Sequence, residues 1–320
     1  MENEQTIKQE SANTAPQAVA TAPKPARPAA APAETKPAEN ELQLRCLAPE
    51  DLRAEMQRLK DEEHFDFLET LTGMDWSEEG LGVVYTLWST TKNKRVSLKT
   101  ATTDRESPFL PTVSDLWDIA NIYEREVFDF FGIKFLGHPD MRRIFLREDW
   151  TGYPMRKDDK PEEENPLRMD NEPLADVTTQ YNRQPDGSIT TQENTIFTED
   201  DYVVNIGPQH PSTHGVLHFR VALEGERIRK IDPILGYIHR GIEKLNESLT
   251  YPQALALTER LDYLGAMQNR HALCMCIEKA AGIEVSERVQ YIRTIMDEFQ
   301  RIDSHILFFS CLCQDMGATS

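Results

Sequence analysis

Hydrophobic period passes from strand to helix twice along this chain. Val83, Tyr85 and Leu87 alternate with Val84, Thr86 and Trp88, the two-residue period of a strand with apolar groups on both faces. Leu116, Ile119, Ala120, Tyr123, Val127, Phe130 and Phe131 then recur at helical spacing, with Ser114 as the cap and Gly132 as the stop. Further on, residues 218–223 and 228–231 alternate around Glu224-Gly225-Glu226-Arg227, a hairpin signal. From Val289 to Phe309 the spacing is helical again. A length of 320 residues fits two such units, and the fold class expected is α+β.

The pattern divides the chain. Residues 1–42 are Ala/Pro-rich with little to bury, and read as a disordered, partly extended tail. Residues 43–160 read as a small α+β domain. It has a helix over 50–61 leading to Phe65, Phe67, Leu68 and Leu71, a turn at Thr91-Lys92-Asn93-Lys94 and a second strand over 95–102. Residues 137–158 are irregular and rich in arginine and aromatics, the composition of a surface loop or of a protein interface. Residues 161–200, with Glu162-Glu163-Glu164 and Gln184-Pro185-Asp186-Gly187, read as an acidic linker. In 201–320 the hairpin is followed by two long helices. Pro252 opens the first, which runs to about Ala281 before Gly282, and Ser286 caps the second, which reaches Asp315. The short link between them makes the helices an antiparallel pair.

Charge and cysteine usage exclude several roles. Lys+Arg 35 against Asp+Glu 54 gives −19, which disfavours nucleic acid or an anionic membrane surface as the main partner. The cysteines are Cys46, Cys274, Cys276, Cys311 and Cys313, an odd and clustered set that fits a reduced compartment. No apolar run approaches the ~20 residues that span a bilayer, and no signal-peptide core is present.

The chemistry concentrates in Gly207-Pro208-Gln209-His210-Pro211-Ser212-Thr213-His214-Gly215. The two prolines fix φ and the bracketing glycines permit crowded backbone, so the two imidazoles sit on a stiff turn. Such a histidine can hydrogen-bond, carry a proton near neutral pH or bind a metal. No Cys-x-x-Cys accompanies the pair, and Cys274/Cys276 and Cys311/Cys313 diverge around a helix, so they read as core filler and no bound metal is expected. Neither a Gly-x-Ser-x-Gly elbow nor a glycine-rich phosphate loop is present, which argues against hydrolysis and nucleotide binding. What remains is a buried polar site between a turn and a helix hairpin, with Tyr263 and Asp315 as its notable polar groups.

Residues 205–215, Gly236-Tyr237-Ile238-His239-Arg240-Gly241-Ile242-Glu243-Lys244 and Glu259-Arg260-Leu261-Asp262-Tyr263 resemble the start of the D subunit of respiratory NADH:quinone oxidoreductase (complex I). Glu124-Arg125-Glu126, Asp129, Gly132-Ile133 and residues 137–158 resemble its C subunit. The order resembles the fused C/D subunit of some bacteria. The resemblance implies a C-like α+β domain followed by the hairpin and first long helices of a mainly α domain of the hydrogenase large-subunit type. It also implies that His214 and Tyr263 hydrogen-bond quinone, that Asp315 partners His214, and that Arg240 lies near the terminal iron–sulfur cluster of the B-type subunit. Quinone would be the substrate, with no cofactor held by this chain and NAD bound elsewhere in the complex. The implied partners are the B-type subunit, other peripheral-arm subunits and the membrane-arm quinone-channel subunit. The implied place is the cytoplasmic face of the inner membrane, in a translocase active only when assembled. In nickel–iron hydrogenases a related stretch carries a nickel-binding Cys-x-x-Cys. Asp262 and Gly265 stand there in this chain, so the thiolates nickel needs are absent. D subunits also continue well beyond the point that Ser320 marks, so the chain is expected to carry only the front part of that fold.

Overall fold

A computed structural model describes residues 44–159, 175–210 and 215–318. The tail over 1–42 lies outside the described residues. Strand β1 (Leu44–Leu47) leads into helix α1 (Pro49–Asp61), whose Leu52, Met56 and Leu59 recur at helical spacing and are fully buried. Strands β2 (Phe67–Asp75), β3 (Leu81–Ser89) and β4 (Lys94–Thr102) form a sheet of order β1-β4-β3-β2, with β1 parallel to β4 and the other pairs antiparallel. In β3 the expected alternation holds: Leu81, Val83, Tyr85 and Leu87 are fully buried, while Val84, Thr86 and Trp88 are half-buried on the other face.

Strand β5 (Phe109–Pro111) precedes helix α2 (Ala120–Phe131), which ends as expected at Gly132 with φ 72°. A Cβ at Gly132 would lie 2.5 Å from the Tyr153 ring, so glycine is required there for space as well as for φ. Helix α2 starts six residues after Ser114, where the cap was expected. The Ser114 hydroxyl is within 2.8 Å of Thr112 Oγ1, and Thr112 Oγ1 (2.5 Å) and the Val113 N–H (2.7 Å) donate to the Glu124 carboxyl. These bonds fold the entry back as turns before the helix begins. Strand β2 was not expected either. Phe65, Phe67, Leu68 and Leu71 read only as the apolar stretch to which the 50–61 helix leads, and 67–75 pairs with β3.

Strand β6 (Lys134–Leu136) pairs parallel to β5, and the second sheet continues through β7 (Val177–Arg183) and β8 (Ile189–Thr195) in the order β5-β6-β7-β8. The stretch expected as an acidic linker therefore contains a hairpin that extends the sheet of the first unit. Strands β9 (Tyr202–Ile206), β10 (Gln209–His210), β11 (Gly215–Val216), β12 (His218–Glu224) and β13 (Arg227–Ile234) follow. β13, β12 and β9 form one antiparallel sheet, and β10 pairs with β11. The expected hairpin is β12–β13.

Helices α3 (Ile242–Glu247), α4 (Tyr251–Thr258), α5 (Ala266–Ala281) and α6 (Glu287–Asp315) complete the described chain. The long helix expected from Pro252 to Ala281 is broken. Asp262 adopts extended geometry (φ −139°) and its side chain accepts from the Leu264 N–H, starting a 3₁₀ turn over Tyr263–Gly265. Helices α5 and α6 pair as expected through His271–Asp297 (2.6 Å) and Arg293–Glu278 (2.5 Å). The cysteines of these helices are exposed or half-buried rather than core filler. No described helix is long and apolar enough to cross a membrane.

Residues 137–158 are neither a free surface loop nor an external interface alone. His138, Met141, Arg142 and Ile144 are buried. The His138 Nδ1 accepts the Asp140 N–H (3.0 Å), so its proton sits on Nε2, which donates to the Asn121 carbonyl at 3.0 Å. Burial pushes its pKa from 6.5 down to about 4, so it is neutral. Burial likewise pushes the Glu124 carboxyl from 4.5 up to about 8, against the two bonds it accepts.

These shifts set opposite pH trends. The neutral His138 contributes stability that is present above 6.5 and lost as pH falls through about 4. The raised Glu124 contributes stability that is complete below 4.5 and lost as pH rises through about 8. Between about 6.5 and 8 the Glu124 effect dominates, and Glu126, raised to about 7 by burial, adds to it. Unfolding stability is expected to fall by about 1–2 kcal/mol over that window through Glu124 alone. Denaturant melts at several pH values should show Glu124→Gln with a distinctly flatter profile. An unchanged slope would refute this account of the buried carboxyl.

Candidate functional site

The His-Pro turn begins where β9 ends. Gly207 has φ 88° and the Gly207-Pro208 peptide is cis. Pairing of His210 with Gly215 then returns the chain toward β12. Residues 211–214, His214 among them, lie outside the described residues. Val216 and Leu217 line a cavity of about 360 Å³ together with the Gly236–Arg240 loop, Arg260 and Leu261. The cavity lining thus draws on two of the motifs that the sequence singled out and on the strand that follows the third. Arg240 is in its lining, His214 precedes the lining Val216 by two residues, and Tyr263 follows the lining Leu261 by two. Asp315 is not in the lining. It ends α6, eighteen residues past Asp297 (315 − 297), roughly 27 Å at 1.5 Å per residue.

Two groups set the shape of the loop. His218 is buried; its Nε2 donates to Asn205 Oδ1 (3.3 Å), which leaves Nδ1 to accept from the Tyr237 hydroxyl (3.0 Å). Tyr237 is thereby oriented at the cavity wall. His239 stacks on Phe130 and Phe145, with ring centroids 5.0 and 4.8 Å apart, and its Nδ1 accepts the Gly241 N–H at 3.3 Å. Lys244 reaches the Arg156 carbonyl at 3.1 Å. Side chains of the first unit therefore hold the loop that carries Arg240.

The cavity wall is mostly apolar, from Phe145, Val216, Leu217, Ile234, Ile238 and Ile242, with Arg240, Arg260, His239 and Glu243 among its polar lining residues. Such a wall suits a planar, largely apolar ligand with oxygen acceptors that can take guanidinium hydrogen bonds. Arg260 and Tyr237 were not singled out in the sequence. Both lie inside the motifs that flag Arg240 and Tyr263, which is the signal that could have found them. The expected burial is not reached: Tyr263 is 74% exposed and Asp315 is exposed. Among the described residues no three His, Cys, Asp or Glu side chains gather as a metal site requires.

This α+β unit with its helix-borne carboxylates belongs to a recognisable class. Residues 46–165 match the family described as respiratory-chain NADH dehydrogenase, 30 Kd subunit. Longer matches cover most of the chain. The NADH-quinone oxidoreductase C/D subunit of Bacteroides thetaiotaomicron is 64% identical over 286 residues, covering 86% of this chain and 54% of the relative. The protein of the same name in Phocaeicola vulgatus is 66% identical over 269 residues, covering 84% and 52%. The second NADH-quinone oxidoreductase C/D protein of Aquifex aeolicus is 37% identical over 281 residues, covering 83% and 47%. Over most of its length the chain is thus similar to NADH-quinone oxidoreductase C/D subunits, and it spans about half the length of the relatives it matches.

Proposed function

We propose that this chain works as a peripheral-arm subunit of NADH:quinone oxidoreductase and forms part of the quinone-headgroup pocket. The observation that supports this reading is the convergence of Arg240, Val216 and Leu261 on one cavity, Val216 and Leu261 each standing two residues along the sequence from His214 and Tyr263. Reducing a quinone to a quinol takes two electrons and two protons. The electrons would come from an iron–sulfur cluster in the B-type partner. His214 and Tyr263 would donate hydrogen bonds to the developing oxyanions and pass the protons on. Asp315 would tune His214 by favouring its charged form, once further chain or a partner brings the end of α6 to the pocket. The second unit would then be the front part of a hydrogenase-type mainly α domain. The protein would sit peripherally on the cytoplasmic face of the inner membrane, against the B-type and quinone-channel subunits, and act only when assembled.

Assembled enzyme carrying His214→Ala or Tyr263→Phe is expected to lose quinone reductase activity at least about tenfold. Electron transfer from the donor as far as the clusters should be kept. Unchanged reductase activity would overturn the assignment. A second reading, a non-catalytic scaffold, draws on the exposure of Tyr263 and of the α6 residues Ile295, Phe299 and Ile306. It predicts normal assembly with no quinone-dependent activity even in the unsubstituted chain.

A further inference from the structure

Among the described residues, strand β2 is the free edge of its sheet, since the order β1-β4-β3-β2 gives it one neighbour only. Five consecutive residues of it, 71–75, line a groove of about 540 Å³ that α2 and α3 close on the other side. Consecutive residues of a strand point to alternate faces, so a groove that meets all five runs along the strand edge. Backbone donors and acceptors on a sheet edge are unpaired unless another strand covers them. The floor of the groove is apolar, from Leu71, Val127, Phe130, Phe131 and Met155. Helix α2 comes this close because residue 73 is glycine: a Cβ there would lie 2.5 Å from the Phe131 ring.

The rim is acidic. Glu126, Glu243 and Glu247 all line the groove, against Lys157 as the one cation among the described residues of the lining. Asp75 is already neutralised by Arg105 at 2.8 Å, and Glu247 shares Lys244 at 3.0 Å. Glu126 has no such neighbour among the described residues. Burial, then Glu243 and Asp129, push its carboxyl up, as befits a group that lacks a cation.

We propose that this groove docks an extended segment of another subunit, one that adds to the edge of β2 and carries an apolar side chain beside a lysine or arginine. The edge would take the backbone, the Phe130–Phe131–Met155 floor the apolar side chain, and Glu126 and Glu243 the cation. A second copy of this chain is a poor occupant, because a net charge of −19 on each copy opposes their approach. The inference does not depend on the quinone reading, since no residue of the groove borders the Arg240 cavity except Glu243.

Photo-crosslinking in the cells that make the chain tests it, with p-benzoylphenylalanine in place of Thr72, which is exposed in the middle of β2. Mass spectrometry should find the crosslink on another polypeptide, at a segment with Lys or Arg within two positions of a large apolar residue. Combining the label with Glu126→Gln and Glu243→Lys should lower the crosslink yield at least about tenfold, as loss of a close charge pair does at an interface. Circular dichroism should show that chain still folded. The proposal fails if crosslinks form only within this chain or with a second copy, if the captured segment has no neighbouring cation, if no crosslink forms, or if the folded carboxylate variant crosslinks as well as its parent.

Discussion

Asp129→Ala is expected to destabilise the first unit by about 3–5 kcal/mol, enough to lower its melting temperature by roughly 10 °C. Asp129 is fully buried on α2, and one of its carboxylate oxygens accepts three consecutive backbone donors: the N–H groups of Ile144 (3.1 Å), Phe145 (2.7 Å) and Leu146 (2.9 Å). The other accepts from Arg143 at 2.9 Å. Arg143 also donates to the carbonyls of Asp129 (2.9 Å), Trp150 (3.2 Å) and Gly152 (3.3 Å). Alanine would leave three N–H groups without their acceptor and would take from the Arg143 guanidinium its one carboxylate partner, and a buried donor left unpaired costs its desolvation. Asn at this position keeps an oxygen for the N–H groups but turns an amide toward Arg143, so Asp129→Asn should fall between wild type and alanine. Denaturant melts give the ordering. A loss below about 1 kcal/mol for alanine would mean that the loop finds other partners, and this reading of Asp129 would be abandoned. Because Phe145 stacks on His239, loosening the loop should also reach the Arg240 cavity.

The same region shows where the sequence was readable and where it was not. Strands β3 and β4, the β12–β13 hairpin and α6 were legible because one face of each has a regular period. Gly132 was legible as a helix stop because its left-handed conformation closes the helix locally, whatever the Tyr153 ring beside it requires. Strand β2 was not legible. Its buried Leu68 and Leu71 lie three apart, so the two-residue alternation of a strand is not visible. Gly73, which reads as a breaker, is there to admit Phe131. The β7–β8 hairpin was missed because its side chains are polar on both faces, leaving no alternation to see. Yet Gln184-Pro185-Asp186-Gly187 is its turn, closed by Gln184 N–H donating to the Ser188 carbonyl at 2.8 Å. The arginines of 137–158 read as a surface loop or an interface because charge patterns do not say that Asp129, fourteen residues before Arg143, or Asp232, ninety after Arg142, has been buried to meet them.

The candidate site was legible residue by residue but not as a shape. Arg240 sits in the cavity because its motif marks a loop, and loops carry function on a rigid frame. Nothing local to Gly236–Gly241 says that Phe130 and Phe145 from the other unit will stack on His239, or that His218 will orient Tyr237. Those contacts join segments about twenty to a hundred residues apart, and only the pairing of the sheets brings them together. The break at Asp262 was likewise hidden, because a residue that competes for its neighbour's N–H looks, in a string of helix formers, like one more polar position.

Asp232→Ala should cost a similar amount, about 3–5 kcal/mol, but at the junction between the units. Asp232 is 3% exposed on β13. One oxygen accepts from Arg142 of the first unit at 3.0 Å, and the other accepts twice from Arg220 of β12, at 3.0 and 2.7 Å. The two arginines have other acceptors. Arg142 also binds Asp140 (2.6 and 2.7 Å), and Arg220 binds Asp176 (2.9 Å) and the Ala175 carbonyl (2.5 Å). Removing Asp232 therefore strands neither completely, but it leaves two buried guanidiniums facing each other with one carboxylate fewer. That imbalance predicts non-additivity. Arg220→Met alone should destabilise, while Asp232→Ala combined with Arg220→Met should cost clearly less than the two single losses together, since the second change removes the charge that the first left unpaired. The coupling should exceed about 1 kcal/mol and resist added salt, because the pair is shielded from ions. Hydrogen exchange would localise the effect, with the amides of β12 and β13 opening before those of β3 and β4. Strict additivity would show that Asp232 and Arg220 do not act as a pair, and uniform loss of protection across both sheets would show that the effect is not localised at the hairpin.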